Sequence, residues 1–223
     1  MKKIYKRLLK EYGPQGWWPL IDVNGTNPTK TGSVKGYHPG DYSYPQNRHE
    51  QFEICVGAIL TQNTSWLNVE KALLNLHTGN ALNPKKILTL ENSSIGDAIK
   101  SAGYFNQKAK KLKIFSEFYL KLNGKIPTRA ELLALWGIGP ETADSILLYA
   151  YNVPSFVVDT YTRRILTNLG LIEENATYDE IKELFEKDLE KSYIIYQEYH
   201  ALLVEHAKRF YLKKPHGVDD FLK

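Results

Sequence analysis

Cysteine is almost missing from this chain of 223 residues: Cys55 stands alone. One thiol cannot close an intramolecular disulfide, and it excludes any metal or cluster site built from cysteines alone. Cys55 sits in an apolar run, where a buried thiol is the ordinary reading. Long hydrophobic runs are also lacking. No window approaches the roughly 20 apolar residues of a membrane span, so no membrane partner is expected. The basic opening Met1-Lys2-Lys3-Ile4-Tyr5-Lys6-Arg7 has no apolar stretch after it and does not read as a secretory signal. A cytoplasmic protein is expected. Period-two alternation is scarce, and no repeat or low-complexity tract occurs. Nor does one charge dominate. Lys plus Arg number 29 against 25 for Asp plus Glu, a net charge of +4, with an isoelectric point near 8.9. That permits a polyanionic partner without demanding one. Hydrophobic residues at 43% and charged residues at 24% are enough for a core and exclude bulk disorder.

What is present is helical periodicity. Residues 2–12 read as a short basic helix ended by Gly13-Pro14. From Asn24 to Arg48 the chain is rich in Gly, Pro, Asn, Thr and Tyr and reads as a long loop. From Gln51 the spacing turns helical, with Phe52, Cys55, Val56, Ile59 and Leu60 on one face. After Thr61-Gln62-Asn63-Thr64, the stretch Trp66–Leu76 resumes, with Leu67, Lys71 and Leu74 on successive turns. Further helices are predicted over 85–91, 94–101, 107–122, 129–136, 141–151, 159–169, 177–189 and 192–212. The fold class is therefore all-α. Two helical subdomains are expected, one over about 50–155 and one from 1–49 plus 156–223, within a single functional unit.

Two short stretches carry chemistry. Gly137-Ile138-Gly139 makes a turn too tight for side chains at its glycines. Pro140 suits the first position of the helix that follows. Free N–H groups at that helix start can hold a phosphate, a contact that sets register on a duplex without reading bases. A plain corner between two helices explains the same residues. Further on, Asp159 opens Val157-Val158-Asp159-Thr160-Tyr161-Thr162. It reads as a helix N-cap, and a capping carboxylate can also face a cleft at the helix end.

Taken with their flanks, these residues resemble the helix-hairpin-helix and Gly/Pro-rich–Asp signature of the endonuclease III superfamily of DNA glycosylases. Leu60-Thr61-Gln62-Asn63-Thr64 is similar to the family's junction that fills the gap left by an extruded base. Gly103-Tyr104-Phe105-Asn106-Gln107-Lys108-Ala109 and the helix around His200–Lys208 are similar to two further family segments, so the resemblance spans most of 50–215. It implies two helical subdomains with a DNA-binding cleft between them. The partner it implies is double-stranded DNA holding a damaged base, bound by a monomer associated with the nucleoid. Asp159 is implied as the catalytic residue, and Gln62, Asn63, Gly137, Ile138, Gly139, Thr142 and Lys108 as DNA contacts.

Two departures narrow the chemistry. Lyase-competent members carry a lysine where Glu141 stands; glutamate cannot form a Schiff base. Base removal alone is expected, leaving an abasic site. Many relatives also hold an iron–sulfur cluster on four C-terminal cysteines, which this chain lacks. No cofactor or metal is expected, and Phe210, Tyr211 and Phe221 are expected to hold the tail by packing. The pattern most resembles the type III 3-methyladenine DNA glycosylases, with Trp17, Trp18, Pro19 and Trp66 as pocket residues and Glu141 and Lys208 as possible borders. Indoles suit a cationic alkylated purine, although aromatic residues also build cores and lysines are often merely solvated. The basic groups at 108–113, 163–164 and 208–214 are phosphate-contact candidates. The alternatives are a mismatch or oxidised-base glycosylase of the same fold, or a non-catalytic DNA-binding module.

Overall fold

The computed structural model describes every residue from 1 to 223. In chain order its helices are α1 Lys2–Tyr12, α2 Arg48–Leu60, α3 Trp66–Thr78, α4 Pro84–Thr89, α5 Asn92–Ala98, α6 Phe105–Leu122, α7 Arg129–Leu133, α8 Pro140–Ser145, α9 Thr160–Asn168, α10 Tyr178–Asp188 and α11 Tyr193–Phe210. A 3₁₀ turn covers Lys100–Ala102 and a π turn, Ile146–Ala150, extends α8. One antiparallel bridge, Thr26 to Lys35, is the only strand-like pairing. The fold is all-α. Helix starts follow their capping chemistry. Asn47 accepts the N–H groups of His49 and Glu50 at α2. Reciprocal boxes, Thr128 with Glu131 and Thr177 with Glu180, open α7 and α10.

The chain divides into two compact units. The first comprises Leu20–Asp22 and Ser43–Tyr151. Its centre is α2, buried at every position from Phe52 to Leu60. Phe52 meets Phe115 and Tyr119 of α6, with ring centroids 6.4 and 5.0 Å apart. On α3 the buried stripe is Val69, Ala72, Leu73 and Leu76, a complete i, i+3, i+4, i+7 set. Leu67 and Leu74, expected on successive turns, lie on the other face and are nearly half exposed. The predicted helix over 129–136 is shorter, ending at Leu133, and Trp136 lies in the turn beyond it with Lys110 over its ring at 4.5 Å.

The second unit comprises Met1–Pro19, Val23–Tyr42 and Asn152–Lys223. Its spine is α11, where all residues from Tyr196 to Ala207 are buried. A helix buried all round must satisfy its own polar side chains, and here they fasten the irregular segments. Glu198 accepts the Gln15 N–H at 2.7 Å and the Tyr42 hydroxyl at 2.7 Å. Glu205 accepts the Thr31 hydroxyl and, at 3.1 Å, Arg209 Nε. His206 pairs with Tyr12 through Nδ1 and with Asp220 through Nε2, each at 2.9 Å. The stretch 24–42 is thus a built loop, pinned by its own Asn27 and by α11. The tail is held by Asp220, which accepts the Tyr211 hydroxyl, and by Phe221 against Tyr12, His206 and Phe210. Phe156 stacks on Phe185 at 3.9 Å beneath Tyr196 and Tyr199.

One buried acid makes the first unit sensitive to pH. Glu53, 2% exposed, accepts the Ile21 N–H at 2.8 Å. Burial pushes its carboxyl from 4.5 up to about 7, with Asp22 and Glu50 adding to the rise and the Ile21 N–H opposing it. The folded state therefore binds the extra proton between those values. The stability this supplies is complete below about pH 4.5 and is lost as pH rises through 7. Glu53→Gln keeps the acceptor and removes the ionisation. Thermal melts should show the variant more stable than the parent at pH 8, by roughly 1–3 kcal/mol, with the gap closing towards pH 5. Parallel pH profiles for the two proteins would refute this.

Candidate functional site

The hairpin between α7 and α8 is built as the glycine pattern suggests, but its two glycines differ. Gly137 has φ of +82°, and a Cβ there would press into the methylenes of Lys111. The backbone conformation calls for glycine there, while the lysine side chain could move aside. Gly139 is extended, with φ of −94° and open space where a Cβ would stand. Ile138 is buried, so its side chain anchors the turn. Pro140 and the exposed Glu141 open α8, whose first intrahelical bond runs from the Ala143 N–H to the Gly139 carbonyl at 2.9 Å. The acidic side chain in the first turn suits the positive end of the helix.

Gln62 is tied to this hairpin. Its Nε2 donates to the Gly137 carbonyl at 3.1 Å and to the Thr142 hydroxyl at 2.9 Å, while Lys111 Nζ donates to its Oε1. It caps neither neighbouring helix; it fixes the junction after α2 against the turn. Thr142 is buried and its hydroxyl is used in this contact. Asn63, next along, is exposed and holds a left-handed backbone with φ of +55°, a conformation asparagine tolerates better than most residues. Trp66, half-buried, opens α3.

Lys108 corrects the sequence expectation of a phosphate contact. It is 1% exposed, and its ammonium donates to the Leu60 carbonyl at 2.9 Å and the Ala102 carbonyl at 2.7 Å. These are carbonyls left over at a helix end and a 3₁₀ turn, and a buried lysine satisfies both. Burial, helped by the neighbouring charge of Lys111, pulls its pKa down to about 8. Lys108 is an internal staple of the first unit.

In the second unit Asp159 is the N-cap of α9, with extended backbone and Oδ1 accepting the Thr162 N–H at 2.7 Å. Its second oxygen lies 3.8 Å from Nε2 of His200 on α11, and its side chain is 14% exposed. Burial alone would raise its carboxyl. The charge and polar contact of His200, with the hydrogen bonding of Thr162, outweigh that and hold it below the ordinary aspartate value. Trp17 stands edge-on to His200, with centroids 5.7 Å apart at 88°, and edge-on to Trp18 at 6.2 Å and 77°. Trp17 is half-buried, whereas Trp18 and Pro19 are buried, and the Trp18 carbonyl is bonded to His38 Nε2 at 3.0 Å. Gly16, with φ of +69°, brings this segment so close to His38 and Pro39 that any side chain there would collide with their backbone. The structure thus gathers Asp159, His200 and Trp17. Lys208 instead faces Glu205 at 3.7 Å, and burial draws its pKa down against that carboxylate's pull.

His200 is the site residue that sequence reasoning passed over. Its signal was weak: a histidine in a mostly apolar helix reads as a satisfied core residue, and only α9 packing on α11 brings it to Asp159.

Comparison with known proteins identifies the family. Residues 56–191 match the HhH-GPD superfamily base excision DNA repair protein family. A Methanocaldococcus jannaschii protein that carries a DNA repair glycosylase name is 45% identical over 223 residues, spanning 95% of this chain and 89% of its own. Among solved structures, the Helicobacter pylori 3-methyladenine DNA glycosylase bound to 1,N6-ethenoadenine aligns with a TM-score of 0.67 and 30% identity, over 92% of this chain and 94% of that one. A trapped covalent complex of endonuclease III with DNA aligns with a TM-score of 0.73 over 96% of this chain and 87% of that one; at 18% identity it speaks to fold alone. The chain belongs to the HhH-GPD superfamily of base excision DNA repair proteins and is a DNA glycosylase of it.

Proposed function

We propose that this glycosylase is monofunctional and excises alkylated purines of the 3-methyladenine type, flipping the damaged nucleotide out of double-stranded DNA and leaving an abasic site. It works as a monomer on the nucleoid. The observation that carries the reading is the Asp159 carboxylate, held ionised between the Thr162 N–H and His200, with the half-buried Trp17 against that imidazole. The full-length similarity to the H. pylori 3-methyladenine enzyme supports the substrate class.

A carboxylate of depressed pKa is a weak base, so its main service is electrostatic. A 3-methylated adenine already carries positive charge, and when the N-glycosidic bond breaks that base departs neutral. The charge passes to the sugar as an oxocarbenium-like centre, and Asp159 stabilises it where it appears. At about 4 Å and an effective dielectric constant near 20 the attraction is about 4 kcal/mol, or roughly a thousandfold in rate. Water then adds to the anomeric carbon and gives up a proton to solvent, leaving the neutral hydroxyl of the abasic sugar. No acid is needed to protonate this leaving group, which fits the absence of a protonated carboxyl at Asp159. His200 is the positioning residue for Asp159. Trp17 offers a ring to the cationic base.

On the DNA side, the hairpin Gly137–Gly139 and the start of α8 serve as the phosphate grip, with Lys111 beside them and Gln62 holding the turn in shape. Asn63, exposed at the tip of the junction, enters the gap left by the flipped nucleotide. Flipping costs roughly a few kcal/mol, which these contacts offset. Glu141, at the second position of α8, brings no amine to the abasic sugar.

In single-turnover assays on a duplex with one 3-methyladenine, Asp159→Asn should slow excision about 10²–10³-fold. Its affinity for a duplex containing an abasic analogue should stay within about threefold. Unchanged excision would refute the assignment of Asp159. Borohydride added during turnover should trap no protein–DNA adduct, and strands should break only after alkali. A trapped adduct would overturn the monofunctional reading while leaving the substrate class standing.

A further inference from the structure

We infer that Asp22, His49 and His77 form a divalent transition-metal site, of the zinc type, in the first unit. A carboxylate oxygen and one nitrogen from each ring lie within 4.8 Å of one another. His77 Nε2 is 3.9 Å from Asp22 Oδ1, and the two imidazole rings stand 6.3 Å apart at 56°. Two imidazoles and one carboxylate are the donor set of open zinc sites, which leave the fourth position to water; the same set takes cobalt and nickel.

The scaffold behind each ligand is fixed before any ion arrives. Asp22 follows Ile21, whose N–H is bonded to the buried Glu53 at 2.8 Å. His49 is the second residue of α2, where the Asn47 cap accepts its own N–H at 2.9 Å. His77 lies in the last turn of α3, closed by the Gly79 N–H bond to Asn75 at 3.0 Å. All three belong to one compact unit. The side chains remain reachable from solvent, Asp22 at 69% and His77 at 37% exposure. Bond lengths of about 2.0–2.1 Å bring tetrahedral ligand atoms to about 3.4 Å from each other. The three atoms must therefore close by no more than about 1.4 Å, which small torsional shifts of exposed side chains supply.

A metal here joins three elements whose ligands are distant in sequence: the Leu20–Asp22 turn, the start of α2 and the end of α3. Its role is a staple within this unit. The ligands are far apart in sequence and match no metal-binding spacing, which is why the sequence alone points to no metal.

The test uses tag-free protein stripped with chelator and then titrated with Zn²⁺ or Co²⁺. The expected result is one equivalent bound per chain with Kd below about 0.1 mM. Co²⁺ should develop visible bands of a protein-bound ion, and Tm should rise about 5–10 °C at a hundredfold excess over Kd. His49→Ala and His77→Ala should each weaken binding at least about tenfold, with circular dichroism unchanged because both side chains are outside the core. His216→Ala, in the other unit, should bind as the parent does. Absence of calorimetric heat and of any Tm shift with either metal, or binding that survives the double His49→Ala/His77→Ala change, would overturn the site.

Discussion

A carboxylate that caps a helix cannot turn away from the helix end, and the proposed chemistry rests on this constraint. Asp159 must present one oxygen to the Thr162 N–H. That leaves the other oxygen pointing out of the first turn, where α11 brings His200 to it. Desolvation at such a position favours the neutral acid, and the imidazole and Thr162 together reverse the balance. The cap reading and the catalytic reading of Asp159 are therefore not rivals. The cap supplies the hydrogen bond that keeps the group charged and aimed.

The second unit is arranged to keep that imidazole in place. α11 carries glutamates and histidines through the interior, and three of them fasten other parts of the unit: Glu198 holds Gln15 and Tyr42, Glu205 holds Thr31, and His206 joins the end of α1 at Tyr12 to Asp220 of the tail. A loop as long as 24–42 would cost much conformational entropy if left to itself. Pairing its groups with buried acceptors offsets that cost and satisfies the helix at once. Positioning of Trp17 follows from the same economy, since its chain segment is clamped between Gly16 and the His38–Pro39 backbone. The tail, without cysteines to hold a cluster, is closed by Asp220 and Phe221 instead.

Much of this was legible in the sequence, because local rules govern it. Helix α1 falls where the basic stretch and its Gly-Pro stop place it, and Asp159 caps α9 as its position before Thr160 and Thr162 suggests. The hairpin is marked by Gly137, whose positive φ leaves little alternative. What escaped was decided at long range. Lys108 belongs to a lysine-rich run that reads as a solvated face, yet carbonyls of Leu60 and Ala102 draw its ammonium inside. Gln62 finds its partners in the hairpin, many residues downstream. In α3 two apolar stripes were available, and the tertiary contacts of Val69, Ala72, Leu73 and Leu76 chose between them. His200 had a chemical identity in the sequence but no visible partner.

The most direct measurement of the central claim is the carboxyl carbon resonance of Asp159 followed against pH, assigned by its loss in Asp159→Asn. The account predicts a midpoint below the ordinary 3.8 that moves upward when His200 is replaced by glutamine. A midpoint at or above 3.8, or one that ignores the replacement, would contradict it.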